Sequence, residues 1–217
     1  MFTGLVQAMG VVADLAPTPA GVRLRVRPHL WPHRPAPGDS IAVSGCCLTV
    51  AAPPAPDGTM DFDVIHESLR RTILGDLRPG SSVNLEHAAT PNTLLGGHVV
   101  QGHIDAVGVF DRVSPGDDWR IRVRPPADFM QFITPKGSIT IDGVSLTVAA
   151  ADPAQGWFEV ALIPTTLEKT TLGKAAHGQR CNLESDIMAR TIVHWLRHYT
   201  QGTASAPSAG PQSPGSP

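Results

Sequence analysis

Apolar and polar residues alternate along most of this chain in short runs. Ser40-Ile41-Ala42-Val43 and Ser138-Ile139-Thr140-Ile141 show the period of two that marks strands with one buried face. Runs rich in Val, Ile and Thr are separated by Pro37-Gly38-Asp39, Asp57-Gly58, Pro79-Gly80 and Lys136-Gly137, where Gly and Pro supply turn geometry. Ser68 to Leu74 and Thr166 to Leu172 read as one or two helical turns stopped by Gly75 and Gly173. A longer helical pattern occurs only near the end. Ser185 or Asp186 caps it, and Met188, Ile192, Val193, Leu196 and Tyr199 fall on one side at spacings near 3.6. So many short strands hide their edges best in small closed or nearly closed barrels.

The pattern occurs twice. Val43-Ser44-Gly45-Cys46-Cys47-Leu48-Thr49-Val50-Ala51-Ala52 aligns without a gap to Ile141-Asp142-Gly143-Val144-Ser145-Leu146-Thr147-Val148-Ala149-Ala150, an offset of 98 residues. The same offset carries Gly4 to Gly102, Leu69 to Leu167, Thr72 to Thr170, Leu74-Gly75 to Leu172-Gly173, and Asn84-Leu85-Glu86 to Asn182-Leu183-Glu184. A duplication of this extent predicts two homologous domains, 1–97 and 98–186, followed by a helix over 187–200. The helix has no counterpart after the first repeat, so its apolar side calls for a partner outside the repeat. Residues 201–217 contain only Gly, Thr, Ala, Ser, Pro and Gln and read as a disordered tail.

Composition narrows the function. Of the 217 residues, 41% are hydrophobic, enough for a buried core, and the formal net charge of -2 with interspersed signs leaves no basic stripe for nucleic acid or anionic lipid. Cys46 and Cys47 are adjacent, which rarely permits a bridge, and Cys181 stands alone, so a disulfide framework is not expected. The opening residues lack the basic region and apolar core of a signal peptide, and no later stretch is long and apolar enough to span a bilayer. A cytoplasmic location is the expectation.

A repeated core explains repeated apolar positions but does not require repeated polar ones. Thr49 and Thr147 are equivalent, as are Ser68 and Thr166. Local turn hydrogen bonding is one reading of such hydroxyls. The other is a pocket inherited by both halves, taking two similar polyhydroxylated, planar ligands.

Several motifs carry a resemblance. Met1-Phe2-Thr3-Gly4, Gly45-Cys46-Cys47-Leu48-Thr49-Val50, Glu67-Ser68-Leu69-Arg70-Arg71-Thr72, Gly96-Gly97-His98-Val99-Val100-Gln101-Gly102-His103-Ile104, Gly143-Val144-Ser145-Leu146-Thr147-Val148 and Ile163-Pro164-Thr165-Thr166-Leu167-Glu168-Lys169-Thr170-Thr171-Leu172-Gly173 together resemble the riboflavin synthase family over nearly all of 1–198. The resemblance implies an all-β fold of two tandem six-stranded Greek-key barrels plus a C-terminal oligomerisation helix. It also implies a homotrimer, association with lumazine synthase, and a site between the first barrel of one subunit and the second barrel of another. Carried over residue by residue, substrate contacts in the first barrel fall on Gly4, Leu5, Val6, Ser40, Cys47, Leu48, Thr49, Asp63, Val64, Ile65, His66, Glu67 and Ser68. In the second they fall on Gly102, His103, Ile104, Lys136, Ser145, Leu146, Thr147, Ala161, Leu162, Ile163, Pro164, Thr165 and Thr166. Ser68 departs from the Thr common in the family but keeps a hydroxyl.

The implied reaction transfers a four-carbon unit between two molecules of 6,7-dimethyl-8-ribityllumazine, giving riboflavin and 5-amino-6-ribitylaminouracil. It needs no cofactor and no metal, in keeping with the lack of a phosphate-binding glycine loop. Cys47 and Ser145, equivalent in the two repeats, are expected to assist proton removal or addition at C7, with water or hydroxide as the alternative nucleophile. A lone Cys otherwise reads as a small buried hydrophobe. His103 is the expected acid-base group, whereas His98 reads equally as a structural hydrogen-bonder at the repeat junction. Asp142, where the first repeat has Ser44, is expected to orient hydroxyls or polarise Ser145, against the plainer reading of a turn carboxylate. A non-catalytic lumazine or flavin carrier of the same fold is the competing function.

Overall fold

A computed structural model of the chain describes residues 1–116 and 118–199, so the segment read as a disordered tail lies outside the described residues. The first half holds β1 (Ala8–Thr18), β2 (Gly21–Pro28), β3 (Ser40–Val43), β4 (Cys46–Thr49), β5 (Met60–Ile65) and β6 (Ser82–His87). The second repeats them as β7 (Ala106–Ser114), β8 (Arg120–Arg124), β9 (Ser138–Ile141), β10 (Val144–Asp152), β11 (Trp157–Ala161) and β12 (Arg180–Ser185). Within each half the strand order is the same: β4-β3-β6-β1-β2-β5 in the first, and β10-β11-β8-β7-β12-β9, closed into a ring, in the second.

Closure differs between the halves. β10 passes a bulge between Val148 and Ala150 and pairs β11 as far as Asp152. β4 stops at Thr49, and the first barrel is joined only by one bridge, Val50 to Phe62. Pro53 and Pro54 stand where the second half has Ala151 and Asp152, and proline has no N–H to extend the ladder. Each barrel has its own core, with Leu24, Ile41, Phe62 and Leu85 in one and Ile121, Ile139, Phe158 and Leu183 in the other.

The short helices are α1 (His66–Arg71) and α2 (Pro164–Lys169), each followed by a 3₁₀ turn, Ile73–Asp76 and Thr171–Lys174. Gly75 and Gly173 lie inside these turns and do not stop the helices. The break is at Thr72 and Thr170, extended residues whose hydroxyls donate to Ser68 O and Thr166 O at 2.7 Å each. The glycines are required by packing: a Cβ on Gly75 would lie 2.4 Å from Leu69 O, and one on Gly173 2.1 Å from Leu167 O.

Two equivalent asparagines stitch the barrels together. Asn84 Nδ2 donates to Asp142 O at 2.9 Å and its Oδ1 accepts from Thr171 N at 2.8 Å. Asn182 Nδ2 donates to Ser44 O and its Oδ1 accepts from Ile73 N, both at 2.8 Å. Each side chain is buried, and each satisfies backbone groups of the opposite barrel.

Two equivalent glutamates, also buried, exchange segments between the barrels. Glu86 of β6 accepts from Thr3 N at 2.7 Å, Thr3 Oγ1 at 2.8 Å and Gly4 N at 3.0 Å. Glu184 of β12 accepts from Gln101 N at 2.6 Å, Gly102 N at 2.9 Å and His103 N at 3.1 Å. Burial raises both carboxyl pKa values and the N–H donors pull them back. Phe2 and Val100 pair as a bridge between the two held segments. The segment fixed by Glu86 then crosses to β10, where Ser145 N donates to Gly4 O at 2.8 Å, and the segment fixed by Glu184 crosses to β4, where Cys47 N donates to Gly102 O at 2.8 Å.

The final helix, α3 (Ile187–Tyr199), begins with the Asp186 carboxylate accepting from Met188 N at 2.9 Å. Arg190 ties it to Asp105 and Gln101, and Val193 faces a groove with Phe132. Met188, Ile192, Trp195, Leu196 and Tyr199 are exposed on this chain.

Two predictions test the seam and the clasp. Burial pushes the Asp142 carboxyl from 3.8 up to about 7. A raised folded-state pKa contributes stability below about pH 4 that is lost as pH rises through about 7, amounting to a few kcal/mol. Asp142→Asn mimics the protonated form and keeps the acceptor for Asn182 N, seen at 2.8 Å. Its denaturant stability relative to wild type should therefore climb from acid to neutral pH; parallel pH profiles would refute this. Glu184→Gln keeps the size but turns an NH₂ toward backbone donors, and should cost about 2–4 kcal/mol in urea unfolding.

Candidate functional site

The first face lies outside the barrel where β4, β5 and the start of α1 meet, in a concavity of about 330 Å3 lined by Cys47, Thr49, Ala51, Asp63, Ile65 and Ser68 along with Leu48. Period-two alternation explains the grouping. Cys47 and Thr49 point outward while Cys46 and Leu48 point to the core, and Asp63 and Ile65 point outward while Phe62 and Val64 point in. Ser40 pairs directly with Thr49 across the β3–β4 ladder. Cys47 is half-buried and free, in contact with the Phe2, Ala42 and Val100 cluster. Cys46 and Cys181 are inert by comparison, since burial pushes the Cys46 thiol up to about 12 and the Cys181 thiol well above its ordinary value.

The second face is built by β10 and the start of α2. Ser145 and Leu146 are half-buried and Thr147 is exposed, with Ile163, Pro164 and Thr165 exposed beside a half-buried Thr166. Lys136 is exposed in a left-handed turn, φ 65°, with its N–H on Val148 O. The hydroxyl of Ser145 lies 2.8 Å from His98 Nδ1. His98 is buried, its N–H donates to Thr3 O at 3.2 Å, and its Nε2 has no partner among the described residues. Burial lowers its pKa against a raising influence from Asp186, which favours a neutral ring able to exchange a proton with Ser145.

The crossing segments regroup the expected residues. Gly4, Leu5 and Val6, expected with the first barrel, lie on the second: a Cβ on Gly4 would meet Ser145 Cβ at 2.6 Å, and Val6 packs on the second core. Gly102, His103 and Ile104, expected with the second, lie on the first: a Cβ on Gly102 would meet Cys47 Cβ at 2.6 Å, and Ile104 packs on the first core. At φ +74° and +80° both positions suit glycine alone. His98 lies on Ser145, and His103 follows Gly102, whose carbonyl accepts from Cys47 N.

Other expected residues neither line the Cys47 concavity nor bond to Ser145. Asp142 does not reach Ser145: its carboxylate is buried in the seam and accepts from Asn182 N at 2.8 Å, because the residue sits in a left-handed turn, φ 49°, that aims the side chain back at β12. Val64 and Leu162 point into the cores and offer only backbone to the outer faces. Glu67 pairs with Arg70 and Arg71 at 2.6 and 2.8 Å, which hold its carboxyl below the usual range, and His66 is exposed beside it. Sequence reasoning gave no role to Glu86, Glu184, Asn84 or Asn182, although the repeated Asn-Leu-Glu triplet was their signal. No group of three His, Cys, Asp or Glu side chains able to hold a metal occurs among the described residues, nor does a helix long and apolar enough to cross a membrane.

Comparison with known proteins agrees with this architecture. The model of the lumazine binding domain matches twice, at residues 3–88 and 101–186. Riboflavin synthase from Mycobacterium bovis is 47% identical over 199 residues, covering 91% of this chain and 98% of the relative. The riboflavin synthase of Escherichia coli is 38% identical over 198 residues, covering 89% and 90%. Among solved structures, LumP complexed with 6,7-dimethyl-8-(1'-D-ribityl) lumazine superposes with a TM-score of 0.72 at 23% identity, covering 85% of this chain and 99% of that one. LumP complexed with riboflavin gives 0.73 at 25% identity over the same shares. Two matched lumazine-binding repeats, and relatives of this identity along nearly their whole length, make this chain a member of the riboflavin synthase family.

Proposed function

We propose that this chain catalyses the dismutation of two 6,7-dimethyl-8-ribityllumazine molecules to riboflavin and 5-amino-6-ribitylaminouracil. The observation that carries the reading is the pair of equivalent outer faces, one presenting the Cys47 thiol and the other the Ser145 hydroxyl, each beside a crossing segment from the opposite repeat. One lumazine loses a proton from its C7 methyl group, and the other is attacked at C7 by a nucleophile. The two join into a pentacyclic adduct with expulsion of the nucleophile, and the adduct fragments by breaking the donor's two C–N bonds: its four carbons complete the other ring system, and its two nitrogens take up protons and leave as the 5-amino and 6-ribitylamino groups. Electrons balance within the pair of substrates, and the pteridine stores the transient negative charge.

His98 and Ser145 form a relay suited to moving a proton at the second face, while Cys47 offers its thiol at the first. The concavity at Cys47 contains none of the second face's residues, and C–C bond formation demands contact between two substrates. This supports a site completed by the second barrel of another copy. The exposed apolar side of α3 supports a homotrimer in which that helix is covered. A carrier of one chromophore would need only one such face.

Purified protein given the lumazine alone should form riboflavin fluorescence, in a ratio of one riboflavin to two substrates consumed; binding without turnover would establish the carrier. His98→Gln should lower kcat by about 10- to 1,000-fold and displace the acidic limb of the rate profile, since a base of lowered pKa works until it is protonated below that value. Cys47→Ala and Ser145→Ala homotrimers should each be nearly inactive. Refolding them together should restore activity at interfaces that pair an intact first barrel with an intact second one. Mixed trimers, verified by mass, that stay inactive would rule out a shared site.

A further inference from the structure

The two faces differ at their mouths. β2 and β5 pair in a register that sets Arg23 directly opposite Asp63 and Arg25 opposite Asp61. Leu24 and Phe62 between them are in the core, so these four side chains share the outer surface. Arg23 grips Asp63 with two donors, Nε to Oδ1 at 2.6 Å and Nη2 to Oδ2 at 3.1 Å. Its remaining nitrogen is 3.9 Å from Asp61, which is itself held by Arg25 Nε at 3.0 Å. Asp63 stands at the rim of the concavity that holds Cys47 and Thr49.

The second barrel has an arginine in the matching place without the acid. Arg120 pairs in register with Ala161, the repeat equivalent of Asp63, and turns to Asp118 at 2.6 Å and Glu159 at 3.1 Å. A methyl group occupies the mouth of that face. An exposed ion pair such as Arg23–Asp63 adds little to stability, so its main effect is geometric. A carboxylate oxygen offers more than one lone pair, and each Asp63 oxygen can still accept from a ligand hydroxyl while the fork-shaped guanidinium fixes its direction.

We propose that Arg23 is a positioning residue: it fixes Asp63 as an acceptor for the ribityl hydroxyls of the lumazine bound at the first barrel, a grip that the second barrel lacks. This rests on the function proposed above, and formation of riboflavin by the wild type tests that function separately.

The test compares wild type with Arg23→Gln, Arg23→Lys and Asp63→Asn, using 6,7-dimethyl-8-ribityllumazine for turnover and 6,7,8-trimethyllumazine, which has no polyol chain, for binding by fluorescence titration. Arg23→Gln and Asp63→Asn should raise KM about 5- to 20-fold with kcat within about twofold, the size of one oriented charge-assisted hydrogen bond, and Arg23→Lys should recover part of the loss. Affinity for trimethyllumazine should be the same in all four proteins. An unchanged KM in folded Arg23→Gln, or an equal loss of affinity for both ligands, would overturn the proposal, the second by showing that Arg23 merely shapes the barrel.

Discussion

A carboxylate that is nearly dry must be matched by donors or it unfolds what surrounds it. Glu86 and Glu184 meet that condition with three donors each, and almost all of those donors are backbone N–H groups of segments that leave their own barrel. A strand end with free N–H groups would otherwise stay in water. Here the acid draws it inward, the chain turns at a left-handed glycine, and the next carbonyl is delivered to the other barrel's outer strand. Both outer faces depend on this clasp, because Gly102 seats the backbone of Cys47 and Gly4 seats that of Ser145.

The asparagine seam holds the barrels in the relation that makes the exchange possible. Each amide uses both its donor and its acceptor on the other half, so neither Asn84 nor Asn182 can be satisfied within its own repeat. Rotation of one barrel against the other would strand four buried polar groups at once, a steeper penalty than sliding an apolar interface. Symmetry of this kind fixes positions and leaves chemistry free to diverge. Where the first repeat has Leu5, Ser44, Cys47 and Asp63, the second has His103, Asp142, Ser145 and Ala161. Equivalent backbones therefore carry unlike side chains: Cys47 and Asp63 stand on the first outer face where Ser145 and Ala161 stand on the second, while Ser44 and Asp142 both turn into the seam.

The α3 helix follows a different logic. Its Arg190 and Val193 attach it to the second barrel, while most of its apolar residues face away from the chain that makes them.

Read alone, the sequence determined the strands, the duplication and the helix. Side-chain period and internal identity are local or pairwise properties that survive without coordinates. It also marked Cys47, Ser145 and the hydroxyl pairs, because equivalence across the repeat singled them out. The destination of the crossing segments was decided only by tertiary structure. Gly4 precedes the first barrel in the chain yet lies on the second, held by an acid 82 residues away, and no spacing rule reports where an unpaired N–H will find its acceptor. The same holds for Asp142 and His98. Beside Gly143, an aspartate reads as a turn residue or a site residue with equal ease, and burial in the seam settles it as a partner of Asn182. His98 became a partner of Ser145 because the fold brings together residues 47 positions apart, a contact that side-chain periodicity does not encode.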